Sequence, residues 1–138
     1  MGMFDIIVVG AGIAGSTFAF KVSGHFKVLL IDKRADFNGI KGTKIFPEHN
    51  KPFINEVNWT NRKIFPRIHN IIRYFGTKSE CIMHANEFGK PYGNICYLEK
   101  LLKWLINKFQ DEGGVLKLNE MILRIVRHVE YIEVINNK

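Results

Sequence analysis

Residues 4–34 read FDIIVVGAGIAGSTFAFKVSGHFKVLLIDKR, and this stretch decides the fold. Phe4 to Val9 is apolar and β-branched apart from Asp5, as a parallel strand buried on both faces requires. Gly10-Ala11-Gly12-Ile13-Ala14-Gly15 follows at once, a G-x-G-x-x-G run. Ile13 to Ser23 reads as a helix, with Gly24 placed as its C′ residue. Lys27 to Ile31 is a second buried strand, and Asp32 stands at its C-terminal end.

Each part of this strand–turn–helix–strand unit has a physical task. Gly10 permits the tight turn out of the strand. Gly12, lacking a Cβ, lets a pyrophosphate approach the backbone. Gly15 lets the helix pack closely on the sheet. Ala19, four residues on, keeps the sheet-facing side small. The N–H groups of Ala11, Ile13 and Ala14 lie where the helix starts, and its positive dipole end favours phosphate. Asp32 follows Gly10 by 22 residues, the spacing of an acid that accepts from a ribose hydroxyl. The expected class is α/β: a Rossmann-like βαβ dinucleotide-binding domain. An acid at this position disfavours a 2′-phosphate, so NADP is not the expected ligand.

The 138 residues suffice for one domain and its core. With 24% charged residues and 12% aromatic residues, the composition argues against disorder. Residues 6–20 are uncharged, but Met1–Asp5 carries no Lys or Arg and does carry Asp5. That is unlike the positive start of a signal peptide, so a cytoplasmic setting is expected. No stretch of 18 uncharged apolar residues suggests a spanning helix.

The net charge is +7, and the excess sits in residues 41–80, which hold eight Lys/Arg against three Asp/Glu. No nucleic-acid-binding module accompanies it, so a solvated basic face is the expectation. Cys81 and Cys96 form neither a disulfide framework nor a zinc pattern. The five histidines show no i, i+4 pair and no H-E-x-x-H, so no metal site is expected. No nucleophile–base pairing is readable, and the catalytic residues stay unassigned.

Residues 35–70 show little periodicity, and 41–92 is read as an irregular insert containing a hairpin, Asn70–Phe75 with Glu80–His84. Tyr92-Gly93-Asn94 is read as a turn. Leu98, Leu101, Leu102, Leu105, Ile106 and Phe109 make one apolar helix face, and Gly113-Gly114 stops that helix. Val115–Leu118 reads as the third parallel strand. A second hairpin is read in Ile122–His128 and Tyr131–Asn136.

The pattern DIIVVGAGIAGSTFAF followed by VLLIDKR resembles the N-terminal segment of FAD-dependent oxidoreductases. The layout that follows is similar to the geranylgeranyl reductase branch of the flavoprotein hydroxylase-like superfamily. That resemblance implies FAD as cofactor, with Lys33 and Arg34 near its adenine end. It implies a backbone contact from Ile122 to adenine. The loop that runs toward the flavin in that branch falls on Gly39–Lys44, with Gly42 and Thr43 as the nearest match. The branch's cysteine motif is absent from this loop, and its phosphate-binding arginine falls on Leu98.

The resemblance also implies that the chain is the FAD-binding portion only, incomplete at its C-terminus and without a substrate domain. On this reading the chain alone is inactive. Such reductases saturate isoprenoid C=C bonds, so contact with a membrane surface would come only through a lipid substrate. Two other readings stay open: a truncated or split subunit that holds FAD only with a partner chain, and an NAD-binding module. In the resembled fold a later strand pairs beside the first. Without it Ile6–Val9 would form an exposed apolar edge, and self-association or a second polypeptide is expected there.

Overall fold

The strand–turn–helix–strand reading is realised nearly residue for residue. The computed structural model describes residues 3–47, 65–68, 70–75, 79–84 and 93–137. Strand β1 spans Ile6–Val9, helix α1 Ile13–Ser23 and strand β2 Val28–Ile31. Strands β1 and β2 pair in parallel, with Ile6 opposite Val28 and Val9 opposite Ile31. All four β2 residues are buried, which explains their unbroken apolar run.

The described residues fall into two compact units, Met1–Ile40 with Leu101–Lys138, and Lys41–Lys100. In the first unit the sheet order is β1-β2-β8, where β8 is Val115–Lys117 and lies parallel to β2. Val28 and Leu30 point to one face and pack with Ala19 of α1 and with Leu102, Ile106 and Phe109 of helix α2 (Leu98–Asp111). The predicted apolar stripe of α2 is the buried one: Leu101, Leu102, Leu105, Ile106 and Phe109. Phe20 and Trp104 join the two helices edge to face, with ring centroids 6.0 Å apart.

Two glycines set close approaches. A Cβ on Gly15 would overlap the carbonyl oxygen of Gly10, so α1 rests directly on the turn that leaves β1. After α2, Gly113 takes φ +84°, and the N–H of Gly114 donates to the Phe109 carbonyl at 3.0 Å. A Cβ on Gly114 would run into the Phe109 ring. The expected stop is therefore a left-handed turn folded back on a core phenylalanine.

The other helix end corrects the sequence reading. Gly24 has φ −69°, an ordinary right-handed value, and not the left-handed conformation of a C′ glycine. The end of α1 is closed instead by the N–H groups of His25 and Phe26, both donating to Val22 O at 3.0 Å.

The C-terminal ribbon pairs β9 (Ile122–Arg127) with β10 (Ile132–Asn136), antiparallel, with an irregularity at Ile135/Asn136. This is the predicted second hairpin.

In the second unit, the stretch read as irregular holds strands. Strand β3 (Thr43–Pro47) pairs antiparallel with β7 (Gly93–Tyr97), and β4 (Arg67–Ile68) pairs on the other side of β7. The turn expected at Gly93-Asn94 is thus the start of a strand; Tyr92 lies outside the described residues. Strand β3 carries Lys44 and Pro47 among its five residues, which hides the strand pattern. The predicted hairpin is present as β5 (Asn70–Phe75) and β6 (Ser79–His84), with Phe75 opposite Ser79. The residues of its turn, 76–78, lie outside the described residues. Cys96 is a buried free thiol, and burial pushes its pKa up to about 11. Among the described residues no group of His, Cys, Asp and Glu is arranged to hold a metal ion, and no helix is long and apolar enough to cross a membrane.

These close approaches separate the glycines by substitution. Gly15→Ala is expected to lower stability by about 1–3 kcal/mol through overpacking. Gly24→Ala is expected to raise it by about 0.4–1 kcal/mol, because its φ suits alanine and its nearest neighbour is at ordinary contact distance. Urea unfolding of the two variants checks both signs.

Candidate functional site

The site is built where β1 and β2 end. Gly10, at φ +97°, turns the chain from β1 toward α1, and its N–H donates to Ile31 O at 2.7 Å. Gly12 is the N-cap of α1 and offers no capping side chain, and the first turn of α1 carries no acidic residue. The positive end of the helix therefore meets no protein charge of opposite sign within its own first turn. Nothing lies within 4 Å of where a Gly12 Cβ would sit, so a ligand can come close to this backbone. Ser16, buried one turn in, donates its N–H to Gly12 O at 2.9 Å and closes the first helical turn.

Asp32 ties three chain segments together. Its Oδ2 accepts the Ala11 N–H at 2.6 Å, binding the glycine loop to the end of β2. Its Oδ1 accepts the Arg34 N–H at 2.8 Å. The Arg34 guanidinium adds two more bonds, Nε to Oδ1 and Nη2 to Oδ2, each 2.8 Å. The Asp32 carbonyl accepts the Glu120 N–H at 3.1 Å, and Arg34 O accepts the Asn119 N–H at 2.8 Å. The turn between β8 and β9 is thereby latched to the Asp32–Arg34 turn.

The carboxyl of Asp32 is held down at about 2. The chief cause is the Arg34 side-chain hydrogen bonding. Burial works against it, and the Arg34 and Ala11 N–H groups and the Arg34 charge reinforce it. The same pairing raises Arg34 above its ordinary value. The guanidinium lies 5.2 Å from the Phe37 ring centre, and its side chain is about one-third exposed at 35%.

These residues line a cleft of about 450 Å³. Val9, Gly10, Ile31, Asp32, Lys33 and Arg34 form one wall, and Glu120, Met121 and Ile122 form the other. The size falls in the range of small-molecule sites. Of the residues singled out in the sequence, Gly10, Asp32, Lys33, Arg34 and Ile122 meet at this cleft. Ala11 is linked to it through Asp32, and Gly12, Ile13, Ala14 and Gly15 form the adjoining start of α1.

Gly42 and Thr43 belong to the second unit. Gly42, at φ +127°, accepts the Leu98 N–H at 3.1 Å, and a Cβ there would meet Leu98 Cδ1 at 2.9 Å. Leu98, standing where the resembled family has an arginine, thus packs on Gly42 and brings no charge.

Sequence reasoning missed Glu120 and Met121. Glu120 is buried, accepts Asn136 Nδ2 at 2.6 Å, and has Lys117 Nζ at 3.8 Å. The signal for this corner was Asn119, whose left-handed φ of +55° turns the chain back toward Asp32.

Comparison with known proteins agrees with this geometry. Residues 8–74 match the family profile described as an NAD(P)-binding Rossmann-like domain. No curated relative matches the chain. Among solved structures, a geranylgeranyl bacteriochlorophyll reductase-like protein from Thermoplasma acidophilum superposes with a TM-score of 0.75 at 19% identity. That match covers 96% of this chain and 36% of the other. The myxobacterial chondrochloren halogenase CndH, a variant of FAD-dependent halogenases, gives 0.69 at 21% identity over 92% of this chain and 31% of its own. CtdE, solved in complex with FAD, gives 0.70 at 17% identity over 99% and 35%. The chain spans about a third of the length of these proteins. The fold is that of the Rossmann-like dinucleotide-binding domains. Within that class the fold is shared with part of the geranylgeranyl reductase-like protein, of the FAD-dependent halogenase CndH and of CtdE.

The depressed Asp32 pKa makes a pH prediction. A carboxyl lowered in the folded chain contributes stability above its unfolded pKa, near 4. That contribution is lost as pH falls toward its folded value of about 2. After allowance for solvent screening of Arg34, the contribution is on the order of 1 kcal/mol. Denaturant unfolding between pH 5 and roughly pH 2 should show Asp32→Asn losing this part of the acid dependence.

Proposed function

We propose that this chain binds the ADP half of FAD, as the nucleotide-binding portion of an FAD-dependent oxidoreductase. The observation that carries the reading is the uncapped Gly12 start of α1, which adjoins a cleft of about 450 Å³ lined by Gly10 and Asp32. The residues present fit the cofactor. The open space at Gly12 suits a pyrophosphate, held by N–H groups of Ile13, Ala14 and Gly15 at the positive helix end. Asp32 takes the ribose hydroxyls. Lys33, Arg34 and the Ile122 backbone border the adenine. When bound, the flavin supplies hydride chemistry, and the chain's part is to hold and orient it.

The finer reading is a reductase of isoprenoid C=C bonds. Its support is the fold shared with the geranylgeranyl reductase-like protein. The reading includes a cytoplasmic setting, which suits a buried thiol such as Cys96. A plain NAD site is the second reading, favoured by the NAD(P)-binding description of the family profile over residues 8–74.

Purified chain with added FAD should retain flavin, seen as visible absorbance after desalting. Gly12→Val should abolish retention while leaving the fold intact. The φ of −75° at Gly12 suits valine, and its Cβ meets nothing within 4 Å. The loss is expected to exceed tenfold in affinity, about 1.4 kcal/mol. Retention of NAD in place of FAD moves the assignment to the second reading; retention of neither overturns both.

The reading extends to a partner strand. Among the described residues β1 pairs only with β2, and Val9 is exposed. A free edge of Ile6–Val9 invites pairing with another strand. A second copy of the chain is the proposed occupant in solution, unless a separate polypeptide supplies that strand. Sedimentation at tens of micromolar should show self-association, and a clean monomer that unfolds cooperatively would sink this proposal.

A further inference from the structure

The hydrogen bonds around Asp32 fill its carboxylate completely. A carboxylate offers about four lone-pair sites, two on each oxygen. Oδ1 accepts from Arg34 N and Arg34 Nε, and Oδ2 from Ala11 N and Arg34 Nη2, all between 2.6 and 2.8 Å. A ribose hydroxyl would be a fifth donor with no site left. Two of the four donors are backbone N–H groups fixed by the glycine loop and by the turn after β2. The other two belong to one guanidinium, on a side chain that is about one-third exposed at 35% and borders the same cleft.

We propose that Arg34 occupies the ribose seat of the free protein and must release Asp32 before a nucleoside can bind there. This rests on the dinucleotide reading above and adds to it a competition built into the site. Its stoichiometry fits the ligand class. Departure of the guanidinium frees one lone-pair site on Oδ1 and one on Oδ2. Two neighbouring acceptor sites match two neighbouring hydroxyls, so the seat takes a cis-diol, as on an unmodified ribose. The fixed N–H groups of Ala11 and Arg34 keep the carboxylate in place and in its ionised form during the exchange. Phe37, 5.2 Å from the guanidinium, supplies a ring face that holds Arg34 in its closed position.

The consequence is a reduced apparent affinity, because only the fraction of molecules with Arg34 released is competent to bind. A partly exposed bidentate pair implies a reduction of about two- to fivefold. Adenosine is the probe, because it carries the diol without phosphate charge, so loss of the Arg34 cation removes no phosphate attraction.

In an NMR titration of the full chain, Arg34→Ala should bind adenosine about two- to fivefold more tightly than wild type. The gain should shrink with 2′-deoxyadenosine and vanish in the Asp32→Asn background. Arg34→Lys keeps the charge but not the fork, and should fall between. It carries the comparison if Arg34→Ala fails to fold. The Arg34 Nε–H signal of wild type should shift when adenosine is added. Equal or weaker adenosine binding by the Arg34 variants, with wild type still binding, overturns the competition and leaves the dinucleotide reading standing. If neither wild type nor any variant binds adenosine, ADP or FAD, both fall.

Discussion

The molecule depends on one close approach, that of helix α1 to the turn leaving β1. At Gly15 there is no room for a Cβ above the Gly10 carbonyl. This contact brings the start of α1 over the end of a buried strand. The N–H groups of a helix start normally need a capping side chain. Here the cap residue is Gly12 and no acidic residue stands in the first turn. The arrangement gives up local capping at the start of α1, next to the Asp32 carboxylate.

Asp32 is the second constraint, and it works by connection. It lies at the end of β2 and holds Ala11 of the glycine loop, while its main chain and that of Arg34 hold Glu120 and Asn119. Three segments far apart in sequence are fixed around one carboxylate. The cleft exists because of these bonds. The same carboxylate gathers the strongest charge pairing in the cleft, with Arg34. Of the groups on this carboxylate, the backbone N–H groups are fixed by the chain, whereas the Arg34 guanidinium sits on a side chain that is one-third exposed.

Much of the first unit was legible in the sequence because its signals are local. The apolar run of β2, the glycine spacing, the 11-residue α1 and the stripe of α2 follow from periodicity and from residues of special geometry. Asp32 was found by its distance from the glycines. The misses have equally physical causes. Gly24 is a glycine after a helix, but the end of α1 closes on Val22 O without a left-handed residue. Strand β3 mixes Lys and Pro with apolar residues and owes its form to pairing with β7. Glu120 and Met121 reach the cleft only through the turn at Asn119, which no periodicity announces.

By itself, the sequence determined that a buried parallel βαβ unit forms, with a glycine turn after its first strand and an acid after its second. The apolar runs and the glycine spacing are local signals that fix this unit. Only the tertiary structure decided which residues form the far wall of the cleft, and that the acid's acceptor sites are filled by Arg34 and Ala11. Those facts depend on hydrogen bonds between segments more than eighty residues apart, and on which side chain reaches a carboxylate first. Neither is encoded in local spacing.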